Sequence, residues 1–166
     1  MIDRIFLVGF MGAGKTTVGT LLARRLGWSF VDIDQEIQRR EGRTIREIFQ
    51  TDGEAQFRRL ETRILHDLPA DTPQVVATGG GTITVEANLR FTQSQGLSIW
   101  LRCPLEMILQ RCRDSRERPL IGGRESIAAL LARREPFYRR ARLHLDTAGA
   151  SPEEIVDQIL AAIPRP

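Results

Sequence analysis

Lysine is almost missing from this chain: of 24 basic residues among 166, Lys15 alone is not an arginine. A protein that otherwise carries its fixed positive charge as arginine keeps one ammonium where a compact, mobile point charge matters. Cysteine is sparse as well. Cys103 and Cys112 form no C-x-x-C pair and lack metal-ligand spacing, so they read as two small buried or half-buried thiols rather than a disulfide framework or a metal site. Aromatic residues make up 6% of the chain, which leaves few stacking platforms for nucleic-acid bases. No apolar run approaches the roughly 20 residues that a bilayer span needs, and residues 1–8 lack the basic leader, apolar run and small-residue cleavage site of a secretion signal. A soluble, cytoplasmic protein is expected, with no membrane partner.

The residues present describe an ordinary globular chain. With 42% hydrophobic and 27% charged residues, 166 residues suit one domain that buries about two-thirds of its unfolded surface. The single domain is expected to span 1–166. The net charge of +3 is slight, and basic residues alternate with acidic ones, as between Arg43 and Arg63. This balance suits a small anionic ligand better than a nucleic acid. The densest basic stretch, Arg133 to Arg142, reads as a solvated helix face.

Strand-like and helix-like stretches alternate from end to end, which predicts one α/β domain around a parallel sheet. Ile5–Val8, Phe30–Asp34, Gln74–Thr78, Leu97–Leu101 and Leu143–Thr147 read as the five strands. Val18, Leu21, Leu22 and Leu26 form one helical stripe after the first strand. Thr44 with Glu47, and Ser151 with Glu154, have capping-box spacing, and Pro152 falls where a first helical residue tolerates proline. Ser115 to Gly123, rich in charge, proline and glycine, reads as a mobile loop.

The lone lysine sits in Gly9-x4-Gly14-Lys15-Thr16, directly after the first strand and at the start of a helix. Glycines at 9, 12 and 14 let successive N–H groups turn inward as an anion nest, and the helix N-terminus adds positive potential. Lys15 then reaches terminal phosphates, and the Thr16 hydroxyl suits a Mg²⁺ that retains waters. A guanidinium is too bulky and fork-shaped to replace that ammonium. ATP is the expected nucleotide, over Gly12, Ala13, Gly14, Lys15, Thr16 and Thr17.

Kinases, switches and motors share such loops, so the acceptor side must decide. Asp32-Ile33-Asp34, read as the end of the second strand, puts both carboxylates on one side by i, i+2 alternation. One would face a metal and the other an acceptor; alternatively both simply solvate a turn. Arg58 and Glu61 share a helix face at i, i+3, beside an apolar stripe of Phe57, Leu60 and Ile64. Glu61 can aim Arg58 at a substrate carboxylate, or the two form an ordinary exposed pair. Thr78-Gly79-Gly80-Gly81 follows the third strand, where glycines admit close approach of a ligand, or form a plain flexible turn.

Taken in order, GxxGxGKT, D-x-D, F-R-R with a nearby glutamate, T-G-G-G, R-P-L and R-x-P-x-Y resemble shikimate kinase from Ile5 to about Ile163. The resemblance implies a single three-layer α/β domain of the P-loop, nucleoside-monophosphate-kinase-like type. Its five-stranded parallel sheet would have order 2-3-1-4-5, with a substrate region near 33–62 and a lid near 112–124. It implies transfer of the ATP γ-phosphoryl group to the 3-hydroxyl of shikimate, with Mg²⁺, by a monomer. Residue by residue, it assigns shikimate to Asp34, Arg58, Gly80 and Arg134, with Gly79 and Gly81 supporting that wall. Arg134 is the first residue of R-E-P-F-Y, and Arg133 is the alternative if the helix register differs. The resemblance further places Asp32 and Thr16 at the metal, Arg118 over the phosphates, and Arg111 and Pro152 beside adenine. Lys15, Asp34 and Arg118 form the implied catalytic set, with Asp34 either accepting the hydroxyl proton or orienting the hydroxyl. A gluconate kinase or another small-molecule kinase is the rival within this class. A nucleotide-dependent binding module is the rival outside it.

Overall fold

The computed structural model describes residues 2–114 and 123–163. Five strands, β1 (Arg4–Val8), β2 (Ser29–Asp32), β3 (Gln74–Ala77), β4 (Leu97–Arg102) and β5 (Leu143–Asp146), form one sheet in the order β2-β3-β1-β4-β5. All neighbouring pairs are parallel, and Leu7 lies opposite both Ala77 and Ile99 in the central three strands. The expected strand order is therefore present.

Parallel strands need crossovers that cover both faces, and alternation along each strand decides which core a residue joins. Ile5, Leu7 and Val75 enter the larger core with Val18 and Leu22 of α1 (Lys15–Leu26) and Val156 and Ile159 of α8 (Pro152–Ala162). Phe6 and Val76 turn to the opposite face. There they meet Ile33 and Ile37 of α2 (Ile33–Glu41), Ile48 of α3 (Ile45–Asp52), and Phe57 and Ile64 of α4 (Glu54–His66). The remaining helices are α5 (Glu86–Gln95), α6 (Leu105–Asp114) and α7 (Gly123–Tyr138), and a short 3-10 turn covers Thr82–Thr84. Both anticipated capping boxes form, at Thr44 with Glu47 and at Ser151 with Glu154, and Pro152 occupies the first turn of α8.

The second strand ends earlier than its sequence suggests. It stops at Asp32, whose side chain accepts a hydrogen bond from the Gln35 N–H and caps α2, so Asp34 lies in a helical first turn. Strand alternation is therefore not what brings the two aspartates together. The first and last residues of the anticipated lid also have helical structure: Cys112 to Asp114 belong to α6, and Gly123 and Arg124 to α7. Residues 115–122, including Arg118, lie outside the described residues.

The helices α2 and α4 are tied together by charge. Glu36 accepts from Arg39 Nε and Nη2 at 2.8 and 2.7 Å and from Arg40 Nε at 2.7 Å, and Arg40 also reaches Asp67 at the end of α4. The Arg39 hydrogen bonds above all, aided by Arg40 and opposed by partial burial, hold the Glu36 carboxyl at about 2, against an ordinary 4.5. A folded-state value below the unfolded one gives stability that is complete above about pH 4.5 and is lost as pH falls towards 2. Glu36→Gln is expected to cost about 1 kcal/mol at neutral pH, since the arginines are largely solvated. Urea unfolding at pH 7, 4 and 2.5 should show that deficit closing with acid; a deficit independent of pH would remove the ionic explanation.

Candidate active site

Open parallel sheets bind ligands at the carboxyl ends of their strands, beside the point where strand order reverses. Here β1 is that point, and the loop leaving it wraps a cavity of about 250 Å³. Gly12 and Gly14 have φ of +75° and +93°, angles that side chains other than glycine rarely adopt, and Gly14 leads directly into α1. Lys15 Nζ donates to the carbonyls of Gly9 and Phe10 at 2.5 and 2.9 Å, which holds the ammonium over the start of its own loop. Thr16 Oγ1 donates to Asp32 Oδ2 at 2.6 Å. Asp32 therefore holds α2 with one oxygen and Thr16 with the other.

Gly12, Gly14, Lys15, Thr16, Thr17, Asp32, Asp34 and Arg111 all line this cavity, together with Met11, Thr78 and Cys112. Arg111 Nη1 donates to the Gly12 carbonyl at 2.6 Å. Ala13 is buried behind the loop, and Pro152, in the first turn of α8, is not among the cavity's lining residues. Hard oxygens from Thr16 and Asp32 are suitable for Mg²⁺ held mainly by phosphate and water. Among the described residues no group of three or more His, Cys, Asp or Glu could hold a metal by itself.

Beyond Asp34 the chemistry changes from phosphate nest to charged wall. Glu61 is 1% exposed; its Oε2 accepts from Arg58 Nη1 at 2.5 Å and its Oε1 from Thr82 Oγ1 at 2.8 Å. Thr82 is held in turn, because Asn88 Nδ2 donates to its carbonyl at 3.0 Å. Burial raises the pKa of the Glu61 carboxyl, and the opposing pulls of Arg58 and Thr82 only partly offset that. Burial acts against the charge on Arg58, but Glu61 and then Glu54 outweigh it and hold the guanidinium above its ordinary value. The i, i+3 pair therefore joins a half-buried guanidinium to a buried carboxylate and is not a solvated surface contact.

Three consecutive glycines form the floor under these charges. A Cβ on Gly79 would collide with the Glu61 carboxylate and stand 2.9 Å from Asp34 Oδ1. One on Gly80 would stand 2.9 Å from Arg134 Nη1, and one on Gly81 would collide with the Arg58 guanidinium. The run is needed for the close approach of these side chains. Phe57 and Phe10 flank the wall, 5.4 Å below the Arg58 guanidinium and 5.5 Å from that of Arg134. Arg134 faces the wall beside Gly80, while Arg133 is exposed. Phosphate loop and wall meet at Gly80, whose Cβ position is 3.5 Å from Met11 N and 3.8 Å from the Gly9 carbonyl.

The profile of one protein family, described as shikimate kinase, matches residues 11–164. The chain belongs to the shikimate kinase family. A shikimate kinase from Persephonella marina is 46% identical over 160 residues, covering 96% of this chain and 98% of its own length. One from Aquifex aeolicus is 42% identical over 161 residues, covering 96% and 95%. The structure of the Acinetobacter baumannii shikimate kinase in complex with shikimate superposes with a TM-score of 0.91 at 40% identity, over 96% of this chain and 92% of that one. A Sinorhizobium meliloti gluconokinase is 18% identical with a TM-score of 0.60 over 95% of this chain and 89% of its own, which is a likeness of fold alone.

Within this family the structure adds residues that motif reading alone does not single out. Thr82 anchors Glu61, Phe10 lies against Arg134, and Tyr138 donates from Oη to the Gly80 carbonyl. The R-x-P-x-Y motif contained Tyr138, but the sequence offers no sign that its partner lies 58 residues away.

Proposed function

We propose that this chain transfers the γ-phosphoryl group of ATP to the 3-hydroxyl of shikimate, giving shikimate 3-phosphate and ADP on the route to chorismate and aromatic amino acids. The observation that carries the reading is the junction at Asp34, which lines the phosphate cavity and also adjoins the Gly79 and Glu61 side of the charged wall. A phosphorylated donor on one side and an anionic acceptor on the other would meet there.

In this reading Arg58 and Arg134 grip the shikimate carboxylate by charge-assisted hydrogen bonds, over the floor of Gly79, Gly80 and Gly81. Binding energy from that remote carboxylate fixes the acceptor hydroxyl in line with the γ-phosphate, the main demand of phosphoryl transfer. Asp34 holds the hydroxyl and takes its proton as the new O–P bond forms. Lys15 leaves its two loop carbonyls to compensate charge on the terminal phosphates, and Arg118 and Arg111 contribute from the nucleotide side, with Pro152 beside adenine. Thr16 and Asp32 would hold Mg²⁺, which supplies charge neutralisation on the phosphates when bound. The enzyme is read as a cytoplasmic monomer without nucleic-acid or membrane partners; among the described residues no helix is long and apolar enough to cross a membrane.

The test is ADP release with ATP and Mg²⁺ across a panel of acceptors. Shikimate should stimulate it strongly, while gluconate, nucleoside monophosphates and single-stranded DNA leave the basal rate unchanged. Equal stimulation by gluconate would overturn the assignment.

A further inference from the structure

Tyr138 is the only tyrosine in the chain, and its side chain is fully buried. It stands four residues after Arg134 on α7, a spacing that puts both on one helix face. Its Oη donates to the Gly80 carbonyl, on the glycine whose Cβ position is 2.9 Å from Arg134 Nη1. The ring is backed by Trp100 of β4, with centroids 6.0 Å apart. One phenol therefore connects the sheet, the glycine floor and the helix that carries the second arginine.

We infer that Tyr138 is a positioning residue for acceptor binding, its hydroxyl pinning the Gly80 carbonyl and steadying the Arg134 guanidinium against the floor. The inference rests on the reading of Arg134 as half of the carboxylate clamp. Arg134 has no carboxylate partner of the kind that fixes Arg58: among the described residues no acidic side chain forms an ion pair with it. Its cation is held by the Phe10 face and the phenol, both uncharged, which leaves its hydrogen-bonding capacity for a ligand carboxylate. A buried aspartate in place of the tyrosine would hold Arg134 more tightly but would compete with that ligand. Burial pushes the phenol up to about 12, with the Arg134 charge acting in the opposite sense. The hydroxyl accordingly stays protonated, and its single hydrogen remains available to Gly80 throughout the neutral range.

Tyr138→Phe keeps the ring against Trp100 and removes only the hydroxyl. The KM for shikimate should rise about tenfold, equivalent to one modest hydrogen bond, with kcat within about twofold and the KM for ATP unchanged. The same substitution made on Arg134→Ala should raise the shikimate KM no further, because the two side chains act as one unit. Since the tyrosine is unique, 3-fluorotyrosine incorporation provides a second readout that does not depend on the variant folding. Its single ¹⁹F resonance should move with shikimate, stay fixed with ATP alone, and lose its shikimate response in Arg134→Ala at concentrations that saturate the unsubstituted enzyme. An unchanged shikimate KM in Tyr138→Phe, equal changes for both substrates, or full multiplication of the two variants' effects would overturn the inference. Failure of the unsubstituted protein to phosphorylate shikimate would instead overturn the functional reading beneath it.

Discussion

Replacing Arg58 with alanine is expected to raise the KM for shikimate about a hundredfold, leave ATP binding intact and lower folding stability by about 3 kcal/mol. The two losses have different origins. The first is the missing half of a carboxylate clamp; the second is Glu61, 1% exposed, left in the interior without the guanidinium 2.5 Å away. Arg134→Ala should reproduce the first loss with little of the second, because no buried acid depends on Arg134. Acid distinguishes them further. Removing Arg58 takes away the strongest influence opposing burial at Glu61, so its already raised pKa rises further. A carboxyl raised in the folded state favours folding below its unfolded value and loses that contribution as pH increases, so the deficit of Arg58→Ala should be smaller at pH 5 than at pH 8. Calorimetric titration with each ligand and chemical unfolding at the two pH values check all three statements. Weakened ATP binding with shikimate binding preserved would mean that the two subsites are wrongly divided.

Lys15 carries the second large effect. Lys15→Met should reduce kcat about a thousandfold, the scale of losing one preorganised charge at a site where phosphoryl charge develops. Because no other lysine exists, an amine-reactive reagent has only the ε-amino group of Lys15 and the α-amino group of the chain as targets. ATP with Mg²⁺ should shield Lys15 while the α-amino group reacts at its former rate, and activity should decline in step with Lys15 modification alone. Full labelling of Lys15 under saturating ATP, with turnover retained, would contradict the nucleotide assignment.

What the sequence disclosed follows from how local each signal is. The phosphate loop is eight residues with its logic inside it, and both capping boxes are four-residue devices, so these are legible. Glu61 beside Arg58 was legible as an i, i+3 pair, but not as a buried one, because its burial depends on Thr82 and the glycine floor from a distant turn. Asp34 belongs to a helix rather than to the second strand for a different reason. Strand alternation stops at Asp32, because Asp32 with Gln35 three residues later has the spacing of an N-cap and its N3 partner. A helix cap at the strand's end still brings Asp34 to the same cavity as the loop. Tyr138 stayed hidden because its meaning is a single hydrogen bond across 58 residues.

The most direct measurement follows the phosphorus itself. With ATP labelled in its γ-phosphoryl group, Mg²⁺ and shikimate, the label should appear in one new phosphate monoester, and ³¹P–¹H correlation should couple that phosphorus to the proton on carbon 3 of shikimate. That result would join the Lys15 cavity to the Arg58 and Arg134 wall in one reaction. Label released only as inorganic phosphate, or coupled to a different ring proton, would contradict it.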